Sequence, residues 1–401
     1  PINIHLPART SRMSRKASQA LVDTLANTRG GLPVDMESLA RLSTKYHVGR
    51  GWLASKSYWD STVSCYLGKY QESPFLDYFW TGYGYYSILL GTMSFIKEIP
   101  RADVYHALSC GMAGFIGSLA KALYGKPLIL TEQGLYLVER RNELSRTDMP
   151  EASKQQIISF SESLVKTTYK YADRIVPPCY SHVKIEVGLG ADPKKIQVVN
   201  NGIEVDRFTP GPERNGHKPV VGCLARVVPI KGITYFIKAA KAVHEKQEAD
   251  FVVVGGLQDK AYHKECLNLI SELGIGDYFK FIGHSNALEW YQRLDIFVLP
   301  SLSEGVPYAL LEAMSCALPC VCSAVGGIPE ILPDTSVGFV VPPGESGHLA
   351  EKISVLLSDR EMRKRIGQQA YRRARKEYTL EHEADEYRKI YERVSDECTV
   401  N

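Results

Sequence analysis

Two stretches concentrate side chains whose types and spacing suit a phosphorylated ligand. In CLARVVPIKGI, residues 223–233, a short apolar run ends at Ala225, Arg226 and Lys231 follow five apart, and Gly232 opens a helical pattern. Arg offers a bidentate fork, Lys a point charge, and a helix start adds free amides, a set that suits a diphosphate. In PSLSEGVPYALLEAM, residues 300–314, the apolar run DIFVLP precedes a loop holding Glu304, and Pro307 suits the first turn of a helix. Glu312 then falls about one and a half turns inside that helix. Both carboxylates can face one ligand lying along the helix start. The amides of Glu304, Gly305 and Val306 can meet phosphate or sugar hydroxyls, and Glu312 can accept from both hydroxyls of a ribose. Each stretch also has a plainer reading, as solvated cations or as acids placed near a helix dipole. A third loop, SAVGGIPEIL (323–332), sets Gly326-Gly327 before a helix opened by Pro329.

The elements that must position these residues alternate along the chain. From Ala102 the order is strand (DVYHALS), helix (GMAGFIGSLAKALYG) and strand (KPLILTEQG). A charged helix over 154–172 and two further strands, in DRIVPP and KIQVVNNG, complete a first α/β series. FTPGPERNGHKP, residues 208–219, holds three Pro and two Gly without an apolar run and is expected to be a linker. A second series follows: PVVGCLA, a helix, DFVVVGG, a helix, YFKFIG, a helix, DIFVLP, a helix, LPCVCS and VGFVVPP. Five or six strands with crossover helices predict a doubly wound parallel sheet. The expected organisation is a first domain over 1–207, the linker 208–219, a second domain over 220–375, and a terminal amphipathic helix over 376–401. Residues 1–99 are helical and aromatic in pattern with weak strand signals.

Composition narrows the function classes. The 401 residues are 44% hydrophobic, 23% charged and 10% aromatic, an ordinary globular profile. Lys and Arg total 48 against 45 Asp and Glu, a net charge of +3 with the signs interspersed, so nucleic acid is not an expected partner. Nine cysteines are scattered without a CxxC, which points to buried thiols, no metal site and a reducing cytosol. Residues 78–96 approach membrane-spanning length, but Gly, Ser, Thr and Tyr dilute them, so a buried or ligand-side helix is expected. No GxxxxGK[ST], strand-to-helix GxGxxG, GxSxG or HExxH occurs, which argues against P-loop NTPases, dinucleotide oxidoreductases, α/β-hydrolases and zincins.

The order ARVVPIKG, VVGG, FIGH, SEGVPYALLEAM and GGIPE resembles the retaining GT-B glycosyltransferases of family four across residues 100–400. In the amino-terminal half, WLASKSYWD, FLDYFWTGYGYY, ADVYHALSCGMAGFIGSLAK and LTEQGLYLVERRNEL are similar to the PelF branch, which serves Pel exopolysaccharide synthesis. The resemblance implies an α/β GT-B fold of two Rossmann-like domains facing across a cleft, the first incomplete at its start. It implies a transferase that moves a hexose or N-acetylhexosamine, with retention, from UDP-glucose, UDP-GlcNAc or UDP-GalNAc to a growing glycan, without an obligatory cofactor or metal. By the same resemblance Arg226 and Lys231 bind the donor diphosphate, Glu312 the ribose, and Glu304 lies near the transferred sugar beside Ser303, Gly305 and Val306. Gly255 and Gly283 also fall at the donor. Gln133, in LTEQG, stands where the family has a His over the donor sugar. Gln hydrogen-bonds but does not titrate. His106, in DVYHALS, is a further candidate at donor or acceptor, or a satisfied histidine at a strand end. The family's glycine-rich first strand-turn-helix has no counterpart, so the natural chain is expected to start upstream of Pro1, and no signal peptide is expected. The implied location is the cytoplasm, with recruitment to an inner-membrane polysaccharide synthesis or export complex. Two other readings stay open: a non-catalytic UDP-sugar-binding component of such a complex, and a GT-B sugar-nucleotide epimerase.

Overall fold

A computed structural model describes residues 13–46, 48–214 and 216–399. The chain divides into two compact units: one comprises the chain up to Pro177, Val183–Val198 and the stretch from Lys389, the other Pro178–His182 and Val199–Arg388.

The first unit opens with α1 (Arg15–Arg29), α2 (Met36–Lys45), α3 (Lys56–Lys69) and α4 (Phe75–Ser94), as the aromatic, strand-poor pattern predicts. Ser14, Asp35 and Ser55 cap the first three by accepting from early helix amides. In α4, Tyr78, Tyr86, Leu89 and Leu90 are buried, whereas Leu76, Trp80 and Ile88 are exposed, so the helix is not wholly internal. No helix among the described residues is long and apolar enough to cross a membrane.

Next come β1 (Tyr105–Ala107), α5 (Met112–Tyr124), β2 (Leu128–Thr131), α6 (Tyr136–Ser145), α7 (Glu151–Tyr171), β3 (Arg174–Val176) and α8 (Tyr180–Gly188). The strands form a parallel sheet in the order β1-β2-β3. The strand expected in KIQVVNNG does not form. It contributes only an isolated bridge between Ile175 and Ile196. Its run is short and passes at once into the polar pair Asn200-Asn201, leaving little apolar length to extend the ladder.

The second unit contains β4 (Val220–Leu224), α9 (Ile233–His244), β5 (Asp250–Val254), α10 (Lys260–Leu273), β6 (Phe279–Gly283), α11 (Ala287–Tyr291), β7 (Ile296–Leu299), α12 (Tyr308–Ser315), β8 (Cys320–Ser323), α13 (Ile328–Ile331), β9 (Phe339–Val341), α14 (Ser346–Ser358) and α15 (Arg360–Glu377). The division between the units falls within α8 and within α16 (Leu380–Thr399). All six strands are parallel, in the order β6-β5-β4-β7-β8-β9. Near-continuous apolar strands such as β7, buried at every residue, suit a sheet covered on both faces. The stretch 208–219 forms no helix or strand among its described residues, and Gly211 lies against the Gln292 backbone. Cys316, Cys320 and Cys322 are buried in the apolar core on one side of this sheet.

Two glycines pin the loop after β7. Gly232 has φ 64° and Gly326 φ 55°. A Cβ on Gly232 would stand 2.1 Å from the Pro300 carbonyl oxygen, and one on Gly326 2.0 Å from that of Glu304. The loops after β4, β7 and β8 therefore pack backbone to backbone, with the Leu302 amide donating to the Ile230 carbonyl at 2.8 Å and the Gly327 amide to that of Gly305 at 2.8 Å. Gly326→Ala should lose at least about 1–2 kcal/mol from the left-handed φ alone, with displacement of Glu304 adding to it, in urea unfolding. An unchanged midpoint would contradict the packing.

The first unit buries two acids. Glu132 accepts from the Tyr169 hydroxyl at 2.5 Å and the Tyr136 amide at 3.1 Å, while neither Glu186 oxygen meets a donor. Burial, and secondarily the Glu132 charge, raise the Glu186 carboxyl to about 8. The folded protein holds this proton through a range where the unfolded chain, with a carboxyl near 4.3, has lost it. Stability present below that range is therefore lost as the pH rises through about 8. The melting temperature should fall between pH 5 and pH 9, and Glu186→Gln should flatten that fall. An identical pH slope in the variant would remove the assignment.

Candidate functional site

In the second unit the chain runs outward from β4 through β5 to β6, then returns to the other side of β4 to build β7, β8 and β9. The loops after β4 and β7 therefore diverge at their carboxyl ends, where open α/β sheets bind ligands. The two sequence motifs richest in charge occupy these two loops.

The Lys231 ammonium lies 2.5 Å from Glu304 Oε1, linking the loop after β4 to the loop after β7. The Ser301 hydroxyl donates to the same oxygen at 2.6 Å. Both ion-pair side chains are largely shielded, at 16% and 10% exposure, so this pair is worth more than a surface one. Lys231 ends a short 3₁₀ turn, Pro229–Lys231, and Gly232 precedes α9, so the ammonium stands beside a helix start. Among the described residues the amides of Ser303, Glu304, Gly305 and Val306 donate to no protein acceptor. A cation, a helix start and four free amides thus meet at one strand end, a set of donors able to hold an anion.

Arg226 is exposed just beyond β4, and its guanidinium donates to Gln258 Oε1 at 3.2 Å. Gly255 follows β5 and donates its amide to the carbonyl of Gly283, which ends the edge strand β6. Pro307 is the residue before α12 rather than within its first turn; its φ of −77° and ψ of 116° are extended. Glu312 lies within α12 and is half-buried, with Oε2 2.8 Å from the buried Tyr291 hydroxyl. Burial raises its carboxyl above the ordinary value, and the Tyr291 bond and the Arg207 charge oppose that. Glu312 is neither sealed in the core nor free in solvent.

His106 and Gln133 belong to the first unit. His106 Nδ1 is 2.6 Å from the Tyr391 hydroxyl and Nε2 2.8 Å from Thr131 Oγ1. Burial lowers its pKa and favours the neutral ring. The exposed Gln133 sits in the turn after β2, which Glu132 ties down through Tyr136 and Tyr169. The sequence motifs missed three supporting residues: Ser301, Tyr291 and Glu132. Ser301 and Glu132 adjoin or lie within quoted motifs, but Tyr291 sits in ALEWYQRL, which carries only a helical signal.

Comparison with known proteins bears on these sites. Residues 205–373 match the glycosyl transferases group 1 family, and residues 5–194 match a domain of unknown function, DUF3492. A D-inositol 3-phosphate glycosyltransferase of Kribbella flavida is 26% identical over 305 residues, covering 70% of this chain and 68% of the relative. One from Mycobacteroides abscessus is 28% identical over 264 residues, covering 61% of this chain and 56% of the relative, so the chain spans little more than half of that protein. Among solved structures, Anabaena HepE in complex with UDP and glucose superposes with a TM-score of 0.64 at 20% identity, over 75% of this chain and 80% of that one. The chain has the GT-B fold, and within it residues 205–373 are similar to the glycosyl transferases group 1.

Proposed function

We propose that this glycosyltransferase is a retaining enzyme that takes a UDP-sugar, of the glucose, GlcNAc or GalNAc type, and extends a bacterial exopolysaccharide of the Pel kind. The observation that carries the donor reading is the Lys231–Glu304 pair beside four free amides at the switch point of the second unit's sheet. Support for UDP comes from HepE, solved with UDP and glucose and also with UDP-glucose. The PelF-like reading rests on the amino-terminal motifs, and with it go a cytoplasmic location and recruitment to an inner-membrane polysaccharide complex.

Donor binding on this reading is an exchange of anions. The diphosphate takes up the Lys231 ammonium, with Arg226 free to swing from Gln258, and Glu304 keeps its bond from Ser301. As the bond from the anomeric carbon to the UDP oxygen breaks, negative charge grows on the leaving phosphate, and the two cations and the loop amides stabilise it. The acceptor oxygen bonds to the same face of the anomeric carbon, and its proton leaves with the departing phosphate. Glu312, kept in place by Tyr291, accepts from the ribose hydroxyls. Gln133 hydrogen-bonds the transferred sugar without moving a proton, and His106 contributes as a neutral donor or acceptor.

Lys231→Ala and Arg226→Ala should each weaken UDP binding by about 1.5–3 kcal/mol in calorimetry, the worth of a hydrogen bond to a charged group. Unchanged affinity in both would overturn the donor site. Glu312→Gln should weaken UDP while leaving pyrophosphate affinity unaltered, because only the nucleoside reaches that side chain. Equal losses for both ligands would contradict the ribose role.

A further inference from the structure

The opposite edge of the same sheet holds a second feature. The amino-terminal ends of β4, β7 and β8, the segments Pro210–Arg214 and Gly216–Pro219, and the first turns of α15 enclose a cavity of about 290 Å³. Four cations line it: Arg214, Arg360, Arg363 and Lys364. Only two carboxylates, Glu213 and Asp295, share the lining, so positive charge is in excess.

Acids outside the lining offset part of that excess: Lys364 also lies 4.0 Å from Glu361, and Asp359 caps α15 by accepting from the Met362 amide. Asp295 is committed to Arg214 at 3.2 Å, His217 at 2.9 Å and the Val220 amide at 2.9 Å. Glu213 binds Arg360 at 2.9 Å and Lys364 at 2.7 Å but stands in solvent, where such pairs contribute little. Arg360, Arg363 and Lys364 also begin α15, where the helix field favours negative charge. Arg363 donates through Nη1 to the Leu356 and Leu357 carbonyls, at 2.5 and 2.9 Å, leaving its Nε and Nη2 uncommitted among the described residues. Buried His217 Nδ1 has no partner, while Nε2 faces Asp295. An anion in this cavity would stand among four cationic side chains and pair with the open Arg363 edge, a geometry suited to phosphate.

We infer that this cavity is a binding site for a small phosphorylated molecule, separate from the donor site at the opposite edge of the sheet. The volume lies at the lower end of ordinary small-molecule pockets, which run from about 300 to 1,000 Å³. It suits a phosphomonoester such as a sugar phosphate rather than a nucleotide sugar. The inference rests on the proposed donor reading only in the choice of UDP as the ligand that fills the other site.

The test is calorimetric titration of the full chain with inorganic phosphate and with glucose 6-phosphate, in saturating UDP so that the donor site is occupied. One saturable site is expected, stronger than about 1 mM. The double variant Arg360→Gln with Lys364→Gln changes exposed positions on α15 and spares Arg363, which holds the end of α14. It should lose affinity about tenfold while UDP binding stays within about twofold. Lys231→Ala should show the reverse pattern, and melting curves report whether each variant is folded. Tighter binding of glucose 6-phosphate supports a sugar phosphate, and equal binding supports recognition of the phosphoryl group alone. Absence of saturable binding, or unchanged phosphate affinity in a folded double variant, overturns the inference.

Discussion

The second unit is organised around one contact, the ion pair between Lys231 and Glu304. Its partners come from loops that follow β4 and β7, far apart in sequence but adjacent in the sheet. Holding a lysine and a glutamate together in a shielded place costs desolvation, which the short distance and the Ser301 hydroxyl offset. Removing either partner leaves the other charge without its main counter-ion. The loops cannot relax to absorb that loss, because Gly232 and Gly326 lock their backbones against Pro300 and Glu304. The charges are therefore set in place before any ligand arrives, which lowers the reorganisation that binding demands.

The same backbone packing explains why the four amides of the β7 loop remain free. Two of the four carbonyls, Glu304 O and Gly305 O, face the glycine pair after β8, and Gly305 O accepts from the Gly327 amide. A loop anchored by its carbonyls turns its donors elsewhere. In the first unit the logic is inverted, since the turn carrying Gln133 is held from below by the buried carboxylate of Glu132. Burial, and secondarily the charge of Glu132, disfavours the ionised form of a second acid, Glu186, and the molecule accommodates it by keeping the proton.

Much of this was legible in the sequence because it rests on local signals. Short apolar runs ending in turn residues gave all six strands of the second sheet, and parallel order follows from the helices between them. Arg226, Lys231, Glu304 and Glu312 stood out in the sequence as candidates because they cluster in or just beyond loops that follow apolar runs and precede helices. The pairing of Lys231 with Glu304 was not legible, since it depends on β4 and β7 being neighbours, a fact of sheet order rather than of either motif. Tyr291 was invisible for a related reason: a tyrosine in an amphipathic stretch carries no sign that its hydroxyl will meet a carboxylate twenty-one residues on. The failed strand at Ile196 shows the converse, an apolar run too brief to hold more than one bridge.

A parallel sheet has two chemically different ends, and this chain treats them differently. At the carboxyl end of the strands, Lys231 has Glu304 as a local acceptor, and Arg226 has Gln258. At the amino end, Arg360, Arg363 and Lys364 gather at the start of α15, with Glu213 between two of them, Glu361 4.0 Å from Lys364 and Asp359 capping the helix. The first arrangement lets a ligand displace a ready counter-ion, so binding an anion there is an exchange. The second sets four lining cations against exposed acids, so an anion bound there would add to the counter-charge already present rather than displace one shielded partner. An exchange site responds chiefly to ligand shape and to the geometry of its donors, whereas an addition site responds strongly to ionic strength, because mobile anions compete for the same exposed charges.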